Sequence, residues 1–460
     1  MRDPYDVVVI GSGTGGYSTA LRAAQLGKRV ALIERDDRLG GTCLIRGCIP
    51  TKALLRSAAV MDTVDRAADW GVKASGEPDW SAIVAFEESM VDKLVSGLTG
   101  LVRTRGIEVI TGAARLLPGS AVEVAGERIE AADVVIATGS RPKLLPGVEV
   151  TSRVITSDQA LRYDRLPSSA VVIGAGAVGL EFASFYRSFG ADVTVLEALP
   201  TIAPLEDADI SAAVARAFRR RGIMTAAGAT VGAIRDVGEA VEVRYSVDGA
   251  ERTVEADICL VAVGRGPVTD GLELDVAGVA LHERGFVVVD EQLRTTAPHV
   301  WAVGDVAATP LQLAHVAFTE GFAVAERIAG IDVPAIDYAV IPRVTYSTPE
   351  IASVGLTEVQ ARETGREIVV EKLDLRAIGK ANILGEGGTV KVVAEAGGGS
   401  VLGVHMVGPH VTDLIAEGML ITAWEATVAD VAALIHPHPT LSEGLGEAML
   451  ALAGKPLHTP

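Results

Sequence analysis

Short runs of consecutive apolar residues, each closed by glycine, recur along this chain. Val7 to Ile10 lead into Gly11, and Val171 to Ile173 lead into Gly174. Such runs, bounded by turn residues and followed by helix-like segments, predict strands buried on both faces of a parallel sheet. A second apolar run follows each of them and ends in an acid: Val30 to Ile33 before Glu34, and Val193 to Leu196 before Glu197. Two further runs, Val134 to Ile136 and Ile258 to Val261, precede the related turns Ala137-Thr138-Gly139 and Ala262-Val263-Gly264-Arg265. Val300 to Val303 lead in the same way into Gly304 and Asp305. Past residue 340 the pattern changes. Strand-like runs near 342–346, 389–394 and 401–407 mix with helical runs near 411–426 and 442–453, as in an α+β domain.

The first two turns share a spacing. Gly11, Gly13 and Gly16 form one Gly-x-Gly-x-x-Gly motif, and Gly174, Gly176 and Gly179 form another. In each copy 23 residues separate the first glycine from the acid that closes the second strand. This is the βαβ pattern of a dinucleotide site, present twice in one register. Glycine lets the backbone turn tightly and approach a pyrophosphate. The helix N-terminus offers free N–H groups and a partial positive charge, and the acid accepts hydrogen bonds from ribose hydroxyls. The predicted fold class is α/β, with two Rossmann-like dinucleotide-binding domains and a C-terminal α+β domain. The first nucleotide domain covers 1–145 and, after an insertion, 273–335. The inserted second one covers 146–272, and the last domain covers 340–460.

Length and composition fit this plan. The chain has 460 residues, 49% of them hydrophobic and 22% charged, enough for about three domains. Its 50 glycines suit many tight turns. A formal net charge of −18, with no basic tract, argues against nucleic acid as a partner. No apolar run reaches the ~20 residues of a membrane span. Met1 to Pro4 run straight into strand-like sequence without the pattern of a signal peptide. A cytoplasmic protein is the expectation.

There are three cysteines, too few for a secreted disulfide framework. Cys259 lies in an apolar run and reads as core. Cys43 and Cys48 form a Cys-x4-Cys pair around Gly47. A metal site, a pair of buried thiols and a redox disulfide are all open to such a pair. No second cysteine pair completes a zinc site, whereas two nucleotide sites in the same chain favour redox chemistry. Lys52, four residues after Cys48, would share its helical face.

The run Gly40-Gly41-Thr42-Cys43-Leu44, closing with Gly47-Cys48-Ile49-Pro50-Thr51-Lys52, resembles the active-site signature of the class I pyridine nucleotide–disulfide oxidoreductases. The resemblance runs through nearly the whole chain to His436-Pro437-His438-Pro439-Thr440-Leu441-Ser442-Glu443. It implies FAD at the first site, on Gly11, Gly13, Gly16 and Glu34, with Lys52, Ala114, Thr138, Gly139, Asp305 and Ala314 around it. It implies NAD at the second, on Gly174, Gly176, Gly179, Glu197 and Val231, with Glu181 near Lys52 and Gly264 and Arg265 at the border. A Cys43–Cys48 disulfide is implied, with Cys48 facing the flavin and Cys43 exchanging with substrate. His438 becomes the acid–base residue, polarised by Glu443 and supplied to the other subunit of a homodimer. No metal ligand is implied.

Three features place the chain nearer the family's lipoamide branch. Glu197 would repel the 2′-phosphate of NADP, and Ala198 to Ile202 offer no arginine to bind it. The His436-x-His438 pair and the ending Ala451 to His458 match that branch. Ile45-Arg46, Thr51, Val268 and Pro437 depart from its usual residues, but none removes a redox or acid–base group. The implied reaction oxidises dihydrolipoamide, free or on a lipoyl-bearing domain, with NAD+. Docking to a 2-oxoacid dehydrogenase complex is the implied assembly. An NADH-driven reductase of another small disulfide, or a non-catalytic flavoprotein subunit, are the rival readings.

Overall fold

A computed structural model describes residues 4–458. The chain divides into two compact units. One comprises 4–54, 81–143 and 264–338, and the other 55–80, 144–263 and 339–458.

In the first unit the strand Tyr5–Ile10 pairs in parallel with Val30–Glu34 on one side and Glu127–Ile136 on the other. Glu108–Thr111 and Val300–Ala302 extend this parallel sheet at its two sides. The long strand Glu127–Ile136 begins in an antiparallel meander with Ala121–Val124 and Ala114–Leu117. Val7, Val8 and Val9 are fully buried, as the unbroken apolar run requires. Each such side chain contributes about 1.5–3 kcal/mol on burial, so a register slip would be costly. Helices Thr14–Gln25 and Ala314–Ile328 pack together beside this sheet.

The second unit repeats the parallel core. Ser169–Ile173 lies between Asp192–Glu197 and Ile258–Val261, with Met224–Ala227 and Val154–Ile155 outside them. An antiparallel meander, Thr230–Asp236, Val241–Val247 and Ala250–Ala256, follows. Residues 339–458 build an antiparallel sheet in the order Arg343–Thr345, Glu350–Gly355, Val401–Gly408, Thr389–Glu395, Ile368–Asp374. Helices Val411–Ala423 and Glu443–Leu452 pack on it. The α/β class with a C-terminal α+β part is therefore observed. Among the described residues, no helix is long and apolar enough to cross a membrane.

Register across that last sheet has a consequence no single strand reveals. Arg343 pairs with Ser353, Ser353 with His405, His405 with Lys391, and Lys391 with Lys372. A polar row thus crosses the sheet. Carboxylates from residues 206–209 and from the helix Glu358–Glu363 meet it. Lys391 Nζ donates to Asp207 Oδ1 at 2.7 Å, to Asp209 Oδ2 at 2.6 Å and to Glu358 Oε2 at 2.8 Å. Asp207 also caps the helix Ala208–Arg220, where a negative charge is favourable. Arg343 forms an ion pair with Glu206 at 3.7 Å.

Lys391 and Asp207 each have side chains 2% exposed. Burial alone would lower the lysine's pKa, but its three carboxylate hydrogen bonds outweigh that and hold it well above the usual value. Burial also works against the Asp207 and Asp209 carboxylates, yet Lys391 with two backbone N–H groups holds Asp207, and Lys391 with Lys372 holds Asp209, below the ordinary range. His405 is fully buried and its pKa is depressed, chiefly by burial. The Leu356 carbonyl and Asp207 act to raise it, while Arg343 and Lys391 reinforce the fall. Because Nε2 lies 2.9 Å from the Leu356 carbonyl oxygen, it must carry the proton.

Lys391→Met should lower stability by about 3–5 kcal/mol, since it strands the buried Asp207 carboxylate without its cation; a thermal melt of the holoprotein measures it. The sign for His405 follows from its depressed pKa. Below pH ~6.5 the unfolded state binds a proton that the folded state refuses, so stability falls as pH drops. His405→Gln should flatten the decline in melting temperature between pH ~7 and ~5.

Candidate active site

The two glycine motifs fold alike. Gly11 and Gly174 have φ of +98° and +102°, conformations that glycine tolerates. A Cβ on Gly16 would lie 1.8 Å from the Gly11 carbonyl oxygen, and one on Gly179 would lie 1.9 Å from that of Gly174. Only glycine fits these positions. Gly13 and Gly176 are the N-cap residues of helices Thr14–Gln25 and Ala177–Ser188. Neither helix has a side-chain cap or an acid in its first turn, so their N–H groups stay available to an anion.

The acids are held ready. Glu34 Oε2 accepts from the Ser12 amide at 2.8 Å and the Ser12 hydroxyl at 2.6 Å, and Oε1 accepts from the Asp36 amide at 3.0 Å. Glu197 accepts from the Ala175 amide at 2.6 Å and the Leu199 amide at 2.8 Å. Both cradles therefore suit a dinucleotide: uncapped helix ends for a pyrophosphate and oriented carboxylates for a ribose.

Cys43 lies in a π-helical turn, Thr42–Arg46, and Cys48 opens the 18-residue helix Cys48–Asp65. The turn closes residues i and i+5, which is the spacing of the two cysteines. Their thiols are unbridged and share a hydrogen bond. That bond, burial and the negative charge of the partner sulfur push the Cys43 thiol up, while Lys52 pulls it down and Asp305 adds to the rise. The pair thus resists carrying two negative charges at once. A single charge is best placed on Cys48, at the helix N-terminus. Burial and the two sulfurs also push the Tyr17 hydroxyl up, so it stays protonated near neutral pH.

The remaining predicted residues of the first unit gather less evenly. Thr138 donates to the Val268 carbonyl at 2.6 Å, Gly139 turns the chain with φ of +70°, and Ala314 opens the helix Ala314–Ile328. Ala114 begins the strand Ala114–Leu117 in the antiparallel meander. Asp305 accepts from the Ser140 hydroxyl at 2.5 Å. Gly264 and Arg265 also belong to the first unit. Arg265 donates to the Ser140 hydroxyl at 2.7 Å, to its carbonyl at 2.8 Å and to the Thr42 hydroxyl at 3.4 Å. A polar path from Asp305 through Ser140 and Arg265 thus reaches the residue beside Cys43. Sequence reading passed over Ser12, Tyr17, Thr42 and Ser140, although Ser12 stands inside the first glycine motif and Ser140 directly follows Gly139.

In the second unit, Glu181 is buried on the helix Ala177–Ser188 and accepts from the Tyr346 amide at 2.9 Å. Val231 lies in the strand Thr230–Asp236, beside a shift in register. His438 Nδ1 lies 2.8 Å from Glu443 Oε1, and Glu443 Oε2 accepts from the Thr440 amide at 2.8 Å. Burial works to raise the Glu443 carboxyl, but Thr440 and His438 hold it below its ordinary value. With Nδ1–H given to Glu443, the exposed imidazole turns its Nε2 edge outward as a proton acceptor.

Two dinucleotide cradles, a vicinal pair of redox-competent thiols and a carboxylate-backed histidine define a nucleotide-dependent dithiol–disulfide oxidoreductase. Residues 5–321 match the family described as pyridine nucleotide-disulphide oxidoreductase, and residues 341–449 match its dimerisation domain. The chain belongs to this family, and FAD and NAD(H) are its cofactors. It is 42% identical to the dihydrolipoyl dehydrogenase of Bacillus subtilis, over the full length of both chains. It is also 42% identical to that of Thermus scotoductus, over 99% of this chain and 98% of the relative. Among solved structures, the HOCl-induced flavoprotein disulfide reductase of Escherichia coli superposes with a TM-score of 0.87 at 30% identity, over 97% of this chain and 99% of that one.

Alanine at the two crowded glycines should separate the cradles. Gly16→Ala should reduce flavin content per chain, read from the visible absorbance. Gly179→Ala should leave the flavin in place and weaken NADH binding roughly tenfold or more, about 1.4 kcal/mol or above.

Proposed function

We propose that this protein oxidises dihydrolipoamide to lipoamide and reduces NAD+, passing two electrons through its cysteine pair. The observation that carries this reading is the hydrogen-bonded Cys43–Cys48 pair, folded beside an uncapped dinucleotide cradle in one compact unit. The first cradle, in a domain of residues 1–145 and 273–335, takes FAD on Gly11, Gly13, Gly16 and Glu34. Lys52, Ala114, Thr138, Gly139, Asp305 and Ala314 complete its surroundings. The second, in residues 146–272, takes NAD on Gly174, Gly176, Gly179, Glu197 and Val231, with Glu181, Gly264 and Arg265 as further contributors. Residues 340–460 form the interface of a homodimer in which His438 serves the cysteines of the opposite subunit.

When bound, FAD supplies the two-electron carrier between the cysteine pair and NAD+. The chain's own residues handle protons and sulfur. His438 Nε2 takes the proton from one substrate thiol, and Glu443 stabilises the imidazolium. The substrate thiolate attacks Cys43 Sγ of the oxidised pair. A substrate–Cys43 bond forms, the Cys43–Cys48 bond breaks, and Cys48 leaves as a thiolate stabilised by its helix N-terminus and Lys52. The second substrate thiol attacks the substrate sulfur of the mixed disulfide and its proton passes to the departing Cys43 sulfur. Cys43 departs with that bond's electron pair, and the cyclic disulfide product is released. The substrate has lost two electrons and the cysteine pair has gained them. Glu197 selects NAD+ because its carboxylate repels a 2′-phosphate. The same reading places the enzyme in the cytoplasm, docked on a 2-oxoacid dehydrogenase complex.

The likeness to a flavoprotein disulfide reductase favours one alternative, in which NADH drives reduction of a different small disulfide through the same residues. An assay of dihydrolipoamide with NAD+ separates the two, and rapid NADH formation is expected. With NADP+ the rate should be far lower. Cys43→Ser should retain FAD and lose dithiol turnover by at least ~1000-fold, and unchanged turnover in that variant would contradict the scheme.

A further inference from the structure

The loop that carries His438 contains a second histidine with a carboxylate of its own. His436 Nε2 lies 2.7 Å from Glu417 Oε1, on the helix Val411–Ala423. The side chain of His436 is 12% exposed and that of His438 is 75% exposed. On its other edge His436 meets the helix Glu443–Leu452. A Cβ on Gly446 would fall 2.5 Å from His436 Nδ1, so the glycine makes room for the ring. His436 is therefore clamped between two helices, and the second of them begins with Glu443, the partner of His438.

The intervening residues tie these two histidines together. The Thr440 hydroxyl donates to the Pro437 carbonyl at 2.7 Å, and the Thr440 amide donates to Glu443 Oε2 at 2.8 Å. The Thr440 and Ser442 hydroxyls lie 2.7 Å apart. The exposed His438 ring has little packing to fix its direction, which must come from Glu443 and from the backbone on either side. His436 anchors the leading side. An apolar residue would fill the same space at lower desolvation cost, but it would not fix the loop's angle to the helix Val411–Ala423.

We infer that His436 and Glu417 are a positioning pair that sets the reach and direction of the His438 imidazole towards the substrate dithiol. This rests on the reading of His438 as the acid–base residue. A misplacement of about 1 Å at a reacting group costs on the order of 100-fold in rate.

The test compares two reactions of the holoenzyme: dihydrolipoamide oxidation by NAD+, and NADH oxidation by ferricyanide, which needs no dithiol. Glu417→Ala and His436→Asn should lower kcat for the first roughly tenfold to 100-fold and leave the second within about twofold. Glu417→Gln, which keeps an acceptor oxygen, should recover most of the loss. In a His438→Gln background, His436→Asn should add little, because the pair acts through a group already removed. Gly446→Ala, which displaces the ring without removing it, should reproduce the effect if the other variants fold poorly. Flavin content and sedimentation report the fold and the dimer.

Wild-type dithiol kcat in Glu417→Ala and His436→Asn would overturn the inference. So would parallel loss of both reactions, or full additivity with His438→Gln. Retained dithiol turnover in His438→Gln, or none in the wild type, would instead overturn the underlying reading and the inference with it.

Discussion

Everything this protein is proposed to do depends on two sulfur atoms meeting across five residues of chain. An ordinary helical turn brings i to i+4, and a strand separates such residues widely. The π-helical turn Thr42–Arg46 closes i to i+5 instead. Its wide turn is followed at once by the helix that Cys48 opens. One geometric choice therefore brings the thiols together and sets one of them at a helix N-terminus. The asymmetry follows from that choice. Cys43 is pushed towards the neutral thiol, while Cys48 occupies the end where negative charge is stabilised.

Around that turn the chain uses one device twice. Both cradles join a buried parallel strand to an uncapped helix through a glycine pressed against a carbonyl. Both orient a buried glutamate by two backbone amides. The differences between the copies are chemical. Ser12 adds a hydroxyl to Glu34, whereas Glu197 receives only amides among the described contacts. The first copy adjoins the cysteine turn within one unit, and the second shares its unit with the carboxylate-backed histidines.

What was legible in the sequence was local. The glycine triplets, the acids 23 residues on and the Cys-x4-Cys pair each state their geometry within one short segment. The runs near 389–394 and 401–407 read as strands because they are mostly apolar and rich in valine, and they are the strands Thr389–Glu395 and Val401–Gly408. Ile368–Asp374 was passed over because its second half, Glu371-Lys372-Leu373-Asp374, is mostly charged and signals little by itself. Arg343, Ser353, His405 and Lys391 each look like stray polar residues in apolar runs. Only antiparallel register brings them into one row, and only the fold of the unit brings Asp207 to Lys391. The path from Arg265 through Ser140 to Asp305 is hidden for the same reason, since each hydrogen-bonded pair in it lies more than 100 residues apart.

The central claim is that the two electrons taken from a dithiol reside in Cys43 and Cys48. Counting thiols tests it most directly. The oxidised holoprotein, denatured without reductant, should show one thiol per chain, that of Cys259. After anaerobic reduction with NADH and removal of excess reductant, it should show all three cysteines of the chain as thiols. An unchanged count, with the flavin fully reduced, would contradict the account.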